Sequence, residues 1–248
     1  MTSDLVRTQA QPRHGLEPVC RRLESLGLKL PEDRALLAEL IGAVEVVPSG
    51  RALVHEAPHV DRAGVIVSGW ACRQRLLPDG RRQVFGFLLP GDTISLDDGP
   101  GPLSSTWTIC VTKVGYAECE GLRRLLLERP DYRPTLTRAL RRLMAQEEAR
   151  LLDHIVRLGR HTAFERVGHM LLELHDRLRQ VGMAEGSSFS MPLTQETLAD
   201  ALGLSVVHVN RVLQQLKREG LIELRAGRAT LLQPELLAQI CDYESPVC

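Results

Sequence analysis

The chain has 248 residues, 44% apolar and 25% charged, with 31 basic and 31 acidic side chains. Its length suits two domains of ~100–150 residues each. The composition is that of a soluble globular protein. Neutrality argues mildly against a nucleic-acid partner unless a basic face is concealed locally.

The N-terminal stretch MTSDLVRTQAQPRHGLEP is polar, carries Asp4 and lacks the apolar core of a signal peptide. No apolar run approaches the ~18 residues of a membrane span. A cytoplasmic protein with no membrane partner is expected. Six cysteines stand at Cys20, Cys72, Cys110, Cys119, Cys241 and Cys248, with no C-x-x-C pair and no zinc spacing. They read as scattered reduced thiols, with no metal and no cofactor. The alternative is a redox-sensing thiol, for which Cys241 and Cys248, near the C-terminus, are the expected exposed candidates.

Residues 16–41 read as helical, with Pro31-Glu32-Asp33 as a helix start ahead of Leu36, Leu37, Leu40 and Ile41. From Val44 to about Cys119, short β-rich runs alternate with turns at Ser49-Gly50, Pro78-Asp79-Gly80, Pro90-Gly91-Asp92 and Asp98-Gly99-Pro100-Gly101. A small antiparallel barrel or sandwich is expected. Between Tyr132 and Leu158, Leu136, Leu140, Leu143, Leu151 and Leu158 define one stripe of a helix about seven turns long, read as a dimer seam. Glu147 and His154 interrupt that stripe, either at its solvated edge or as a polar pair that sets register. Gly159 is expected to break the helix. A second amphipathic helix follows from about Thr162 to Arg179, then a polar linker from Gly182 to Ser188 and a separate small C-terminal unit.

That unit contains LTQETLADALGLSVVHVNRVLQQLKREGLI, Leu193 to Ile222. Thr194 can cap a helix that turns Leu198, Ala199 and Leu202 inward, Gly203 supplies a tight turn, and Ser205 can cap a second helix ending at Gly220. Val209, Val212, Leu213 and Leu216 form an apolar stripe along that second helix. Val207, Arg211, Gln214 and Arg218 occupy the opposite side, flanked by His208 and Asn210. A valine there can pack on a thymine methyl in a major groove, and Arg211 can donate twice to guanine O6 and N7. The helix N-terminus at Ser205 and Val206 offers free N–H groups to phosphate. Two short strands around Arg225-Ala226-Gly227-Arg228 read as a wing with a basic tip. With Lys217, these arginines supply the basic face that the total charge conceals.

These residues resemble the helix-turn-helix of Crp/Fnr regulators, and the likeness extends over most of the chain. GLSVVHVNRVLQQLKREGLIEL looks like the family's recognition helix and wing, FLLPGDTISL like its sensor segment, and VIVSGWACRQRLLPDGRRQV like its central hairpin. The resemblance implies an α+β chain: a β-roll sensor over 1–131, a dimerisation helix over 132–158 and a winged helix-turn-helix over 159–248. It also implies double-stranded DNA, a second copy of the chain and RNA polymerase as partners. The effector-pocket candidates are Gly91, Asp92, Ser95, Leu96, Ser104 and Ser105.

The pattern also departs from the family. Members that bind cyclic nucleotides carry Gly-Glu where Ser95 and Leu96 stand, and an Arg-Ser pair near Ser104-Ser105, where this chain has no arginine. A cyclic phosphate would lose its charge-assisted partner, so cyclic AMP is not expected to bind. Cys20 alone near the N-terminus cannot supply a four-thiolate iron–sulfur cluster. His55, His59 and His154 remain candidate haem ligands. Many members have Glu at the position of Val207, so the preference for a cytosine there is expected to change.

The rival class is a cupin-like enzyme, but HEAPH, with His55, Glu56 and His59, is its only candidate metal motif. No nucleophile elbow, P-loop or dinucleotide fingerprint occurs. A regulator is expected, controlled by its own abundance, by an unidentified small molecule or by thiol oxidation.

Overall fold

A computed structural model describes residues 15–56, 63–96 and 106–245. Ser104, Ser105, His59 and Cys248 lie outside them. Among the described residues, helices α1 (Glu17–Ser25) and α2 (Pro31–Leu40) precede eight strands: β1 (Glu45–Val47), β2 (Ala52–Glu56), β3 (Gly64–Ser68), β4 (Ala71–Leu76), β5 (Arg82–Leu88), β6 (Thr93–Ile94), β7 (Thr106–Cys110) and β8 (Val114–Glu118). They form two antiparallel sheets, ordered β1-β8-β3-β6 and β2-β7-β4-β5. This is the expected roll. Ile66, Ile94 and Val114 fill its interior at 0% exposure.

Helices α3 (Glu120–Glu128), α4 (Pro134–Arg160) and α5 (Ala163–Gln180) follow. α4 has 27 residues and is about 40 Å long. It does not break at Gly159 as expected. One glycine costs a long helix only about 1 kcal/mol, and the stop comes where the extended backbone of His161 meets the Thr162–Glu165 capping box that starts α5. The C-terminal elements are β9 (Ala184–Glu185), β10 (Ser188–Ser190), α6 (Gln195–Leu202), α7 (Val206–Arg218), β11 (Ile222–Arg225), β12 (Arg228–Leu231) and α8 (Pro234–Ile240). The segment expected to be a linker instead forms the hairpin β9–β10. It extends the wing into a sheet ordered β11-β12-β10-β9, anchored by the fully buried Phe189.

The C-terminal unit is not separate. Alternate residues of a strand face opposite sides of the sheet. Ala71 and Leu88 point into the roll, while Cys72 and Phe87 point outward. With Trp70, Val84 and Leu89, the outward set joins the core built by α5, α6 and α7. The roll and the helix-turn-helix therefore bury one continuous apolar layer, with the Trp70 and Phe87 rings 6.2 Å apart.

Candidate nucleic-acid interface

The local rules place α6 and α7 as expected. The Thr194 hydroxyl accepts from the Thr197 N–H at 3.1 Å, and the Ser205 hydroxyl accepts from the His208 N–H at 3.2 Å. Between them Gly203 sits at φ +63°, a left-handed conformation that glycine adopts without steric cost. Val209, Val212, Leu213 and Leu216 are buried. On the other side of α7, Arg211, Gln214, Arg218 and Asn210 are placed, and Val207 is 80% exposed. Ser205 and Val206 are exposed at the N-terminus, while His208 and Lys217 are half-buried. Asn210 donates to the Gln195 side chain at 3.1 Å, tying α7 to α6.

The wing is a two-residue hairpin. Arg225 pairs with Arg228, and Ala226 and Gly227 take φ +49° and +74°, as a type I′ turn requires. Arg225 is exposed, and Arg228 donates to Glu185 at 2.9 Å. Exposed pairs of this kind contribute about 0–1 kcal/mol, so a phosphate can displace Glu185. The structure thus gathers the α7 side chains and the wing arginines on one C-terminal unit.

The sensor candidates are placed differently. Gly91 (φ +94°) lies in the β5–β6 turn, Ser95 (φ +53°) and the buried Leu96 follow β6, and Asp92 is 2% exposed. Its carboxylate is bonded within the chain. Oδ2 accepts from the Leu89 N–H at 2.7 Å and from the Arg177 guanidinium at 2.5 Å. Arg177 comes from α5 and also donates to the Phe87 carbonyl at 2.7 Å and to Glu173 at 3.1 Å. Burial works against this guanidinium's charge, but Asp92 and Glu173 outweigh it and hold Arg177 well above the usual arginine range. Burial also opposes the Glu173 carboxylate, yet Arg157 and Arg177 bring it down to about 2. A second bridge, Arg82 of β5 to Asp200 of α6 at 2.5 Å, fixes the helix-turn-helix to the same sheet. Sequence reasoning missed both bridges, because nothing local marks partners 85 and 118 residues apart.

The seam also needs correction. Leu136, Leu140 and Leu143 are 0–1% exposed within one chain, packed with α1 and α3. They are buried against α1, α3 and β3 of their own chain. Glu147 and His154 turn inward too. Glu147 accepts from Arg150 at 2.5 Å, and His154 is 9% exposed. The exposed apolar face of α4 is Leu151, Leu152, Ile155 and Val156, at 45–65% exposure. Only Leu151 belongs to the expected seam. The spacing of the other three is visible in the sequence, but the longer leucine stripe outweighs it.

Cys241, the expected exposed thiol, is fully buried behind Gly168, and burial pushes it up to about 12. A thiol of that kind is inert at neutral pH. His154, a haem candidate, is pushed down to about 4 by burial, with Arg157 adding to the effect. Among the described residues no group of three metal-binding side chains assembles, and no helix is long and apolar enough to cross a membrane.

The fold and site define a β-roll joined through a long helix to a winged helix-turn-helix. Residues 165–240 match the Crp-like helix-turn-helix domain. The chain is 35% identical over 161 residues to the nitrogen fixation regulation protein FixK of Bradyrhizobium diazoefficiens. That alignment spans 64% of this chain and 65% of the relative, just under two thirds of its length. It is 30% identical over 208 residues to the transcriptional activatory protein AadR of Rhodopseudomonas palustris, covering 83% of each. The solved structure of FixK2 from Bradyrhizobium japonicum superposes with a TM-score of 0.68 at 26% identity, covering 82% of this chain and 98% of that one. The chain belongs to the Crp/Fnr family of transcriptional regulators. The expectation of a regulator rather than an enzyme agrees with that membership.

Proposed function

We propose that this protein regulates transcription by binding an inverted-repeat operator as a homodimer, reading bases with α7 and gripping phosphates with the wing. The observation that carries this reading is Val207, 80% exposed beside Arg211 on a helix whose opposite face is buried. Leaving a valine that open to water is unfavourable, and a thymine methyl would cover it. Ser205, Val206, His208, Asn210, Gln214 and Arg218 complete the groove face, and Lys217, Arg225 and Arg228 contact the backbone.

Two copies would pair through Leu151, Leu152, Ile155 and Val156 and set their α7 helices in successive major grooves about 34 Å apart. RNA polymerase in the cytoplasm is the partner such a regulator acts on. Cyclic AMP is not its effector, because Ser95 and Leu96 stand where the nucleotide-binding pattern needs Gly-Glu, and Asp92 is already engaged by Arg177.

Genome-wide mapping of binding sites in the source bacterium tests the reading. Enriched inverted repeats upstream of genes whose transcription changes on deletion are expected. Binding with no shared sequence, or with single half-sites only, would overturn it.

A further inference from the structure

Asn210 is exposed on α7, about 60° around the helix from Val207. Its Nδ2 donates to Oε1 of Gln195, the first residue of α6, at 3.1 Å. Gln195 is exposed as well, and it lines the groove that α6 and α7 share with the wing arginines Arg225 and Arg228. The amide pair therefore stands beside the residues assigned to DNA.

This bond does little to hold the fold. Water competes for an exposed neutral hydrogen bond, so its net contribution is small. α6 and α7 are already joined through the buried Leu198, Leu202, Val209 and Leu213. Asparagine is also a poor helix former, a cost that a leucine or glutamate at this mid-helix position would not carry.

What the bond does fix is the face of the carboxamide. A free asparagine amide can turn end for end, and it offers two N–H donors and one carbonyl acceptor. With one Nδ2 hydrogen held by Gln195, Asn210 is left with one donor and its Oδ1 acceptor. Adenine shows the matching pair in the major groove, the N7 acceptor and the N6 donor. Guanine shows two acceptors there, N7 and O6, and asks for two donors.

We infer that Asn210 reads an adenine within about two base pairs of the guanine assigned to Arg211, and that Gln195 is the positioning residue that makes it prefer adenine to guanine. Oδ1 accepts from N6, and the second Nδ2 hydrogen goes to N7 while the first stays on Gln195. Holding the amide before DNA arrives also lowers the ordering cost of the contact. The inference rests on the reading of α7 as the groove helix.

The test selects operators from randomised DNA with the full-length protein and with Asn210→Ala, Gln195→Ala and Gln195→Glu. Both positions are exposed, so the variants should fold as wild type does. Wild type should select an A·T pair at the position read by Asn210. Asn210→Ala should lose that preference by about tenfold and keep the Arg211 guanine. Gln195→Ala should lower the preference for adenine over guanine about as much. Gln195→Glu keeps an acceptor for Nδ2, so it should restore that preference even though its charge weakens binding to every sequence. A merely structural tie would change affinity for all sequences alike and leave the adenine-to-guanine ratio alone. That result, or an Asn210→Ala motif unchanged from wild type, would overturn the inference and spare the operator reading. A wild-type pool with no shared motif would overturn both.

Discussion

Asp92 of the roll and Arg177 of α5 form a buried salt bridge, 85 residues apart in sequence and 2.5 Å apart in space. The aspartate that the sequence assigns to a ligand loop is thus engaged by the protein's own DNA-binding unit. Removing one partner of such a pair leaves an uncompensated buried charge. Arg177→Met should cost about 3–5 kcal/mol of stability. Adding Asp92→Asn should recover part of that loss, a coupling that a double-mutant cycle in urea measures. Additive losses would mean that the two groups do not depend on each other.

The exposed face of α4 predicts assembly. Leu152→Asp plus Ile155→Asp should give folded monomers with little operator affinity, since like charges would meet at the seam. Leu140→Asp should instead unfold the chain, because Leu140 is 0% exposed within it. Light scattering and circular dichroism separate the two outcomes. Dimers in the first variant would place the seam elsewhere.

Cyclic AMP should neither bind nor alter DNA affinity. Ser95 and Leu96 stand where the nucleotide-binding pattern needs Gly-Glu, and Arg177 occupies Asp92. Calorimetry showing a micromolar dissociation constant, about −8 kcal/mol, would contradict this.

Acid should weaken the fold. His154 and His169 are held at about 4 in the folded chain, by burial first and by Arg157 second, against ~6.5 when unfolded. Between those values the unfolded chain binds more protons. Stability is therefore complete above pH ~6.5 and falls as pH drops toward about 4, by about 1–2 kcal/mol per histidine at pH 5. Glu173, at about 2, works in the same sense but lower, between its unfolded ~4.3 and about 2. Urea midpoints at pH 7.5 and 5 check this, and His154→Gln plus His169→Gln should shrink the difference. Equal midpoints in the wild-type protein would mean that these histidines are not buried neutral.

Much of the C-terminal unit is legible in the sequence because its determinants are local. Thr194, Gly203 and Ser205 cap and turn the two helices within a few residues, and the helical period alone sets Val209 inward and Val207 outward. The roll is legible from its turn residues. The long helix is legible as a helix, but its leucine stripe misleads about the seam. An apolar stripe says that a face is buried, not what buries it, and Leu136, Leu140 and Leu143 are covered by α1 and α3 of the same chain. The docking of the two units is not legible. It depends on Trp70 and Phe87 on an outward strand face and on bridges between distant residues, for which no periodicity exists.

The division of labour between α7 and the wing is tested most directly by selecting operators from randomised DNA with wild type, Arg211→Ala, Arg228→Ala and Val207→Glu at two salt concentrations. Arg211→Ala should cost about 1–3 kcal/mol per half-site and relax one symmetric pair of positions. Val207→Glu should move preference toward cytosine by supplying an acceptor for N4. Arg228→Ala should weaken all sequences alike and reduce the salt slope by about one unit for each phosphate it no longer neutralises. A motif that Arg211→Ala leaves unchanged and Arg228→Ala rewrites would contradict the assignment of base reading to α7.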